Sequence, residues 1–196
     1  MEVWTQKFLD FSGSSSCFKK NQVLHYDFLF VKNTRKFSFV LVLKDDLSRF
    51  VELVPSERTD HVVVVHALLD WYNRFGVAET HVSDKGSHFK KKVVAELNDI
   101  LKTKHRFTTA YSSMSNGTVK RITREIMRAL RSLLSEFKIS WNEWASQPLV
   151  QSVLNNYKTA SVAGQAPITV FTGLPGYNPH AVFSKALMRF PSSNRR

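Results

Sequence analysis

Two apolar runs, Val23 to Val31 and Phe37 to Leu43, stand on either side of the polar link Lys32-Asn33-Thr34-Arg35-Lys36. Runs of this length, rich in aromatic and β-branched residues, read as strands, and a five-residue polar link between them reads as a hairpin turn. Phe50 to Pro55 adds a third short strand, so the chain opens as an antiparallel meander. The pattern then changes to crossovers. Thr59 or Asp60 can cap a helix that ends before Gly76, with Val64, Leu68, Trp71, Tyr72 and Phe75 at helical spacing. The run Val62 to Val65 alone would read as strand. The eleven residues after it keep a helical period, and β-branched residues cost a helix only tenths of a kcal/mol each.

Further on, Glu79 to Ser83 is expected as a fourth strand and Ser87 to Thr103 as a helix with Phe89, Val93, Leu97, Ile100 and Leu101 inward. Arg106 to Ala110 is expected as a fifth strand. Val119 to Phe137 carries the strongest helical periodicity, and Trp141 to Tyr157 reads as another helix, interrupted near Pro148. From Ala163 the glycines and prolines suggest a covering loop. Hairpins followed by crossover helices require a mixed sheet with helices on its faces, an α/β fold.

With 196 residues the chain can bury one good core. Residues 1–22, which include a serine cluster, are expected as a loose leader, 23–183 as the domain and 184–196 as a basic tail. No run approaches the roughly 20 apolar residues that cross a bilayer, so no membrane partner is expected, and Met1 to Lys20 lacks the pattern of a signal peptide. Cys17 is the single cysteine, which excludes an internal disulfide and a Cys-rich zinc module. The seven histidines are scattered and suggest no zinc site. A net charge of +12 points to a polyanion as partner, with nucleic acid first.

Asp27 sits inside the first strand, flanked by Tyr26, Phe28 and Leu29, where a carboxylate is costly unless paired or coordinated. On these residues alone it is either half of a salt bridge or a metal ligand. Asp84 follows the fourth strand, in Asp84-Lys85-Gly86-Ser87-His88-Phe89, and 35 residues separate it from Lys120, just after Ser115-Asn116-Gly117. The Asp-x-Gly-x-x-Phe pattern resembles the catalytic core of retroviral and gypsy-class LTR-retrotransposon integrases. So do Asp45-Asp46-Leu47-Ser48-Arg49-Phe50, Arg74-Phe75-Gly76-Val77, Thr109-Ala110-Tyr111 and the stretch from Pro167 to Gly173. Together these cover roughly residues 23–180.

The resemblance implies a ribonuclease-H-like, mixed five-stranded sheet in the order 3-2-1-4-5. It implies a site in which Asp27, Asp84 and a glutamate hold Mg²⁺ or Mn²⁺ for DNA strand transfer. Lys120 stands in the glutamate's position, and Lys85 where the family has an uncharged amide. An ammonium cannot ligate magnesium, so neither metal is expected to bind tightly and the chain is expected to be inactive, with Lys120 acting as a counter-ion to the two aspartates. Glu125, five residues further along the same helix, lies about 140° around its axis and does not substitute.

Lys120, Arg124, Arg128 and Arg131 recur at helical spacing beside Arg121. Such a stripe is either a solvated helix face or a set of phosphate contacts to DNA or RNA. By resemblance, Lys85, His88, Tyr111 and Asn116 join the nucleic-acid-binding set, a homodimer is implied, and the location implied is nuclear. The alternative reading is a repurposed, non-catalytic protein-interaction domain that uses its basic surface.

Overall fold

The computed structural model describes residues 17–30, 37–108 and 148–177. β1 (Val23–Phe30), β2 (Phe39–Asp45) and β3 (Val51–Ser56) form the antiparallel meander. β4 (Thr80–Ser83) runs parallel to β1 on its other side, and β5 (Lys104–Phe107) parallel to β4. The sheet order is β3-β2-β1-β4-β5, as expected. β5 starts two residues earlier than its hydrophobicity suggested, because its ladder to β4 begins at Thr80↔Lys104.

The β2–β3 turn is built on Asp45, whose carboxylate accepts from the amides of Asn21 (2.7 Å) and Ser48 (2.8 Å) and from the Ser48 hydroxyl (2.6 Å). Asn21 lies in the stretch expected to be a loose leader, yet it ties the start of β1 to the first helix. Its side chain accepts from Trp71 Nε1 at 2.9 Å and donates to the carbonyls of Phe75 and Gly76 at 3.0 and 3.1 Å.

α1 (His61–Phe75) confirms the helical reading of Val62–Val65. The Asp60 side chain accepts from the Val62 amide, and the helix stops at Gly76, whose φ of 81° lies where glycine is favoured. Val64, Ala67, Leu68 and Trp71 face the sheet. Glu52 on β3 forms a two-point ion pair with Arg74, with a second contact of 2.6 Å.

α2 (Lys92–Ile100) is shorter than expected, and its inward face differs. Phe89 is buried as expected, but from a turn closed by its own amide on the Gly86 carbonyl. Val93 and Ile100 are exposed, while Val94, Leu97 and Asn98 point inward. The helix begins at Lys92, and its phase follows Val94, Leu97 and Leu101, a spacing of three and four.

α3 (Pro148–Asn156) is the described part of the helix expected over 141–157, and it covers the outer edge of β3. Asn155 accepts from the Val51 amide and donates to the Val51 carbonyl, both at 2.8 Å, and Gln151 accepts from the Leu53 amide at 2.8 Å. These amide side chains take the place of a neighbouring strand.

The expected covering loop beyond Ala163 instead contains a helix, α4 (Pro167–Thr172). Proline there occupies the first turn, where its missing N–H costs nothing, and Gly173 ends the helix at φ 80°. Phe171 from α4 stacks on Phe50 with ring centres 4.6 Å apart and also meets Trp71 and Phe75. The core is one cluster of Leu24, Tyr26, Leu41, Leu43, Val64, Leu68, Trp71, Phe89, Val94, Phe171 and their neighbours. No helix among the described residues is long and apolar enough to cross a membrane. The helix expected over 119–137 and the tail 184–196 lie outside the described residues.

Candidate functional site

β1 and β4 run in the same direction, and the last paired residues between them are His25↔Val82. Two residues further along stand Asp27, within β1, and Asp84, just past the end of β4. The parallel register therefore brings the two carboxylates to the same level, beside the C-terminal end of β4. Asp27 is half-buried, and its Oδ1 accepts from the Phe28 amide at 2.8 Å. Burial pushes its carboxyl up to about 6, the negative charge of Asp84 pushes the same way, and the Phe28 N–H opposes both. Asp84 is exposed, and its Oδ1 accepts from the Gly86 amide at 2.7 Å.

Gly86 is needed for space. A Cβ there would stand 2.7 Å from His88 Cε1, 2.8 Å from His88 Nε2 and 2.9 Å from Asp84 Oδ1. The imidazole of His88 is held edge-on by Phe28 and Phe89, at ring-centre distances of 5.0 and 4.0 Å. Burial lowers its pKa, against the pull of Asp84, and its Nε2 is buried without a partner among the described residues. Lys85 is exposed beside Asp84. Of the expected site residues, the structure thus brings Asp27, Asp84, Lys85 and His88 to one end of the sheet. Tyr111, Asn116, Lys120, Arg121, Arg124, Arg128 and Arg131 lie outside the described residues.

Sequence reasoning missed what lies behind the pair. Tyr26 and Ser83, the residues before the two aspartates, both place their hydroxyls on Nε2 of His105 in β5, at 3.0 and 2.9 Å. Asn98 of α2 approaches His105 Nδ1 at 3.3 Å and His81 Nδ1 at 2.8 Å. Burial lowers the pKa of His105 and takes that of His81 down to about 4. No local signal pointed to them: the fifth strand was expected from Arg106, and only the β4–β5 register sets His81 directly opposite His105.

Two oxygen acids close enough for one to raise the other are the donor chemistry a divalent cation takes, and Asp27 and Asp84 would be two of its ligands. Among the described residues no third histidine, cysteine or carboxylate joins them into a metal-binding group.

Residues 19–113 match the family model of the integrase core domain. This stretch is an integrase core. The Gag-Pol polyprotein of avian reticuloendotheliosis virus is 32% identical over 139 residues, covering 70% of this chain and 12% of that polyprotein. The retrovirus-related Pol polyprotein from transposon 412 of Drosophila melanogaster is 25% identical over 125 residues, covering 61% of this chain and 10% of the relative. The chain thus spans about a tenth of the length of these curated relatives.

Among solved structures, the HTLV-2 integrase catalytic core domain in complex with magnesium superposes with a TM-score of 0.63 at 17% identity, over 78% of this chain and 97% of that one. The catalytic core domain of BIV integrase gives a TM-score of 0.61 at 19% identity, over 85% of this chain and 99% of that one. Likeness at such identities carries the fold, and it agrees with the ribonuclease-H-like sheet order found here.

Proposed function

We propose that this integrase core binds nucleic acid but has lost metal-dependent DNA strand transfer. The observation that carries the reading is the parallel register that sets Asp27 beside Asp84, combined with a lysine separated from Asp84 by 35 residues. Two-metal phosphoryl transfer needs acidic ligands converging on ions about 3.5–4 Å apart. Lys120 offers donors only. For a dication about 5 Å away at an effective dielectric near 20, exchanging carboxylate for ammonium turns roughly 6–7 kcal/mol of attraction into repulsion of similar size.

What persists is charge: +12 overall, with exposed Lys85 beside the aspartates and the arginine series 121, 124, 128 and 131. Such residues bind phosphates without reading sequence, which suits DNA or RNA and a nuclear location. A homodimer belongs to the same reading, since the HTLV-2 core was solved in dimeric and trimeric forms.

The test is Mn²⁺ and Mg²⁺ titration calorimetry and a strand-transfer assay on the native chain and on Lys120→Glu. The native chain is expected to bind neither ion tightly, and Lys120→Glu to regain Mn²⁺ binding. Tight two-site binding by the native chain defeats the proposal. Duplex DNA affinity should fall steeply with salt, with a slope reporting several phosphates; salt-insensitive binding to a protein instead would favour the interaction-domain alternative.

A further inference from the structure

The backbone pairing of β1 with β4 ends at His25↔Val82, one residue short of Tyr26 and Ser83. Beyond that point the two strands are joined through side chains, and the joint is His105. By strand alternation Tyr26 and Ser83 lie on the sheet face that α2 covers, opposite to the face from which Asp27 emerges. The joint therefore sits behind the carboxylates without touching them.

With the Asn98 amide oriented as it is, its hydrogen bonds form one consistent set. The Asn98 side-chain nitrogen can only donate, so Nδ1 of His105 accepts and the proton of the neutral ring resides on Nε2. Asn98 Oδ1 in turn accepts from Nδ1 of His81. The Ser83 hydroxyl donates to the Asp84 carbonyl at 3.0 Å, which leaves Ser83 Oγ to accept. Nε2–H of His105 then serves Tyr26 and Ser83, whose oxygens stand 3.0 and 2.9 Å away. The chain runs from α2 through β5 to both strand ends and finishes on the main chain of Asp84. Buried networks with every member satisfied hold one geometry, because any break strands a polar group out of water.

We infer that His105 is a positioning residue: its Nε2–H clamps the residues preceding Asp27 and Asp84 and thereby sets the separation of the two carboxylates. The inference rests on reading Asp27 and Asp84 as a pair built to share a cation, and it adds a residue that acts on the pair from behind.

The test measures the separation directly. In a Cys17→Ser chain, Asp27→Cys and Asp84→Cys together place thiols at the two positions, and a disulfide closes between them only when their Cα atoms come within about 4.4–6.8 Å. Closure with a mild oxidant should be fast, and His105→Leu should slow it about tenfold as the strand ends part. His105→Gln, whose terminal amide reaches the Nε2 position and donates there, should recover most of the rate. Where His105→Leu fails to fold, Tyr26→Phe with Ser83→Ala removes both arms of the clamp and should give the same slowing. ¹⁵N spectra of the native chain should show His105 protonated at Nε2 and bare at Nδ1. Equal closure rates with and without the clamp, or a proton on Nδ1, overturn the inference. Failure of Lys120→Glu to take up Mn²⁺ would instead remove the cation reading, and the closure rates would still judge the clamp.

Discussion

Asp27→Asn separates the cost of the carboxylate pair from every other property of the site. The amide keeps an oxygen for the Phe28 N–H and removes the charge that burial and Asp84 both oppose. Asp27 titrates near 3.8 in the unfolded chain and at about 6 in the folded one. A group whose folded value is raised adds stability that is fully present below the unfolded value and is lost as pH rises through the folded one. At about 1.4 kcal/mol per pH unit, the native chain forfeits on the order of 3 kcal/mol between pH 3 and pH 8, relative to the variant.

The amide has its own desolvation cost, which offsets the variant by a constant and leaves the pH-dependent part unchanged. Urea denaturation of both chains at pH values between 3 and 8 reads this difference. The curve should be flat below about 3.8, rise through the interval up to 6 and be flat again above it. In thermal melts the change corresponds to roughly 6–12 °C for a chain of this size. A difference that does not vary with pH would refute the reasoning. It would instead favour the counter-ion role expected of Lys120, a cation that neutralises the pair and that the raised Asp27 value leaves out.

Two other substitutions test separate parts of the structure. Asn155→Leu removes both hydrogen bonds to Val51 and leaves a buried backbone N–H and C=O unpaired, so it should cost about 2–4 kcal/mol in chemical denaturation, whereas a surface change on α3 costs almost nothing. Gly86→Ala forces a methyl against the His88 ring and the Asp84 carboxylate, and in the Lys120→Glu background it should weaken Mn²⁺ binding severalfold and shift the His88 ring resonances; unchanged values for both would show that the loop yields freely.

The sheet was legible because its evidence is local and repeated. Apolar runs with short links gave the meander, and Gly76 and Gly86 punctuated the loops around α1 and β4. The carboxylate pair was legible only through the family resemblance, since on its own residues Asp27 reads equally as half of a salt bridge, although Asp27 lies within one strand and Asp84 directly follows another. The inward face of α2 was misjudged because hydrophobicity favoured Val93 and Ile100, while the true face includes Asn98, a polar residue buried to serve two histidines. That preference is set by partners distant in sequence, and no local period encodes it. His105 was overlooked likewise: its importance arises from what Tyr26, 79 positions earlier, and Ser83, 22 positions earlier, place beside it. The helix α4 was obscured by prolines and glycines that reflect its first turn and its termination as readily as a loop.

The amides of Asn155 and Gln151 have a consequence for how molecules of this kind behave when crowded. Because they occupy the N–H and C=O of Val51 and the N–H of Leu53, the first half of that border is already paired and offers a stray extended segment less to pair with. At the opposite border, β5 has one partner strand among the described residues and presents exposed Lys104 and Arg106. Two like charges on so short a border discourage self-association in register, so the two edges guard against added strands by different means, side-chain mimicry at one and electrostatic repulsion at the other.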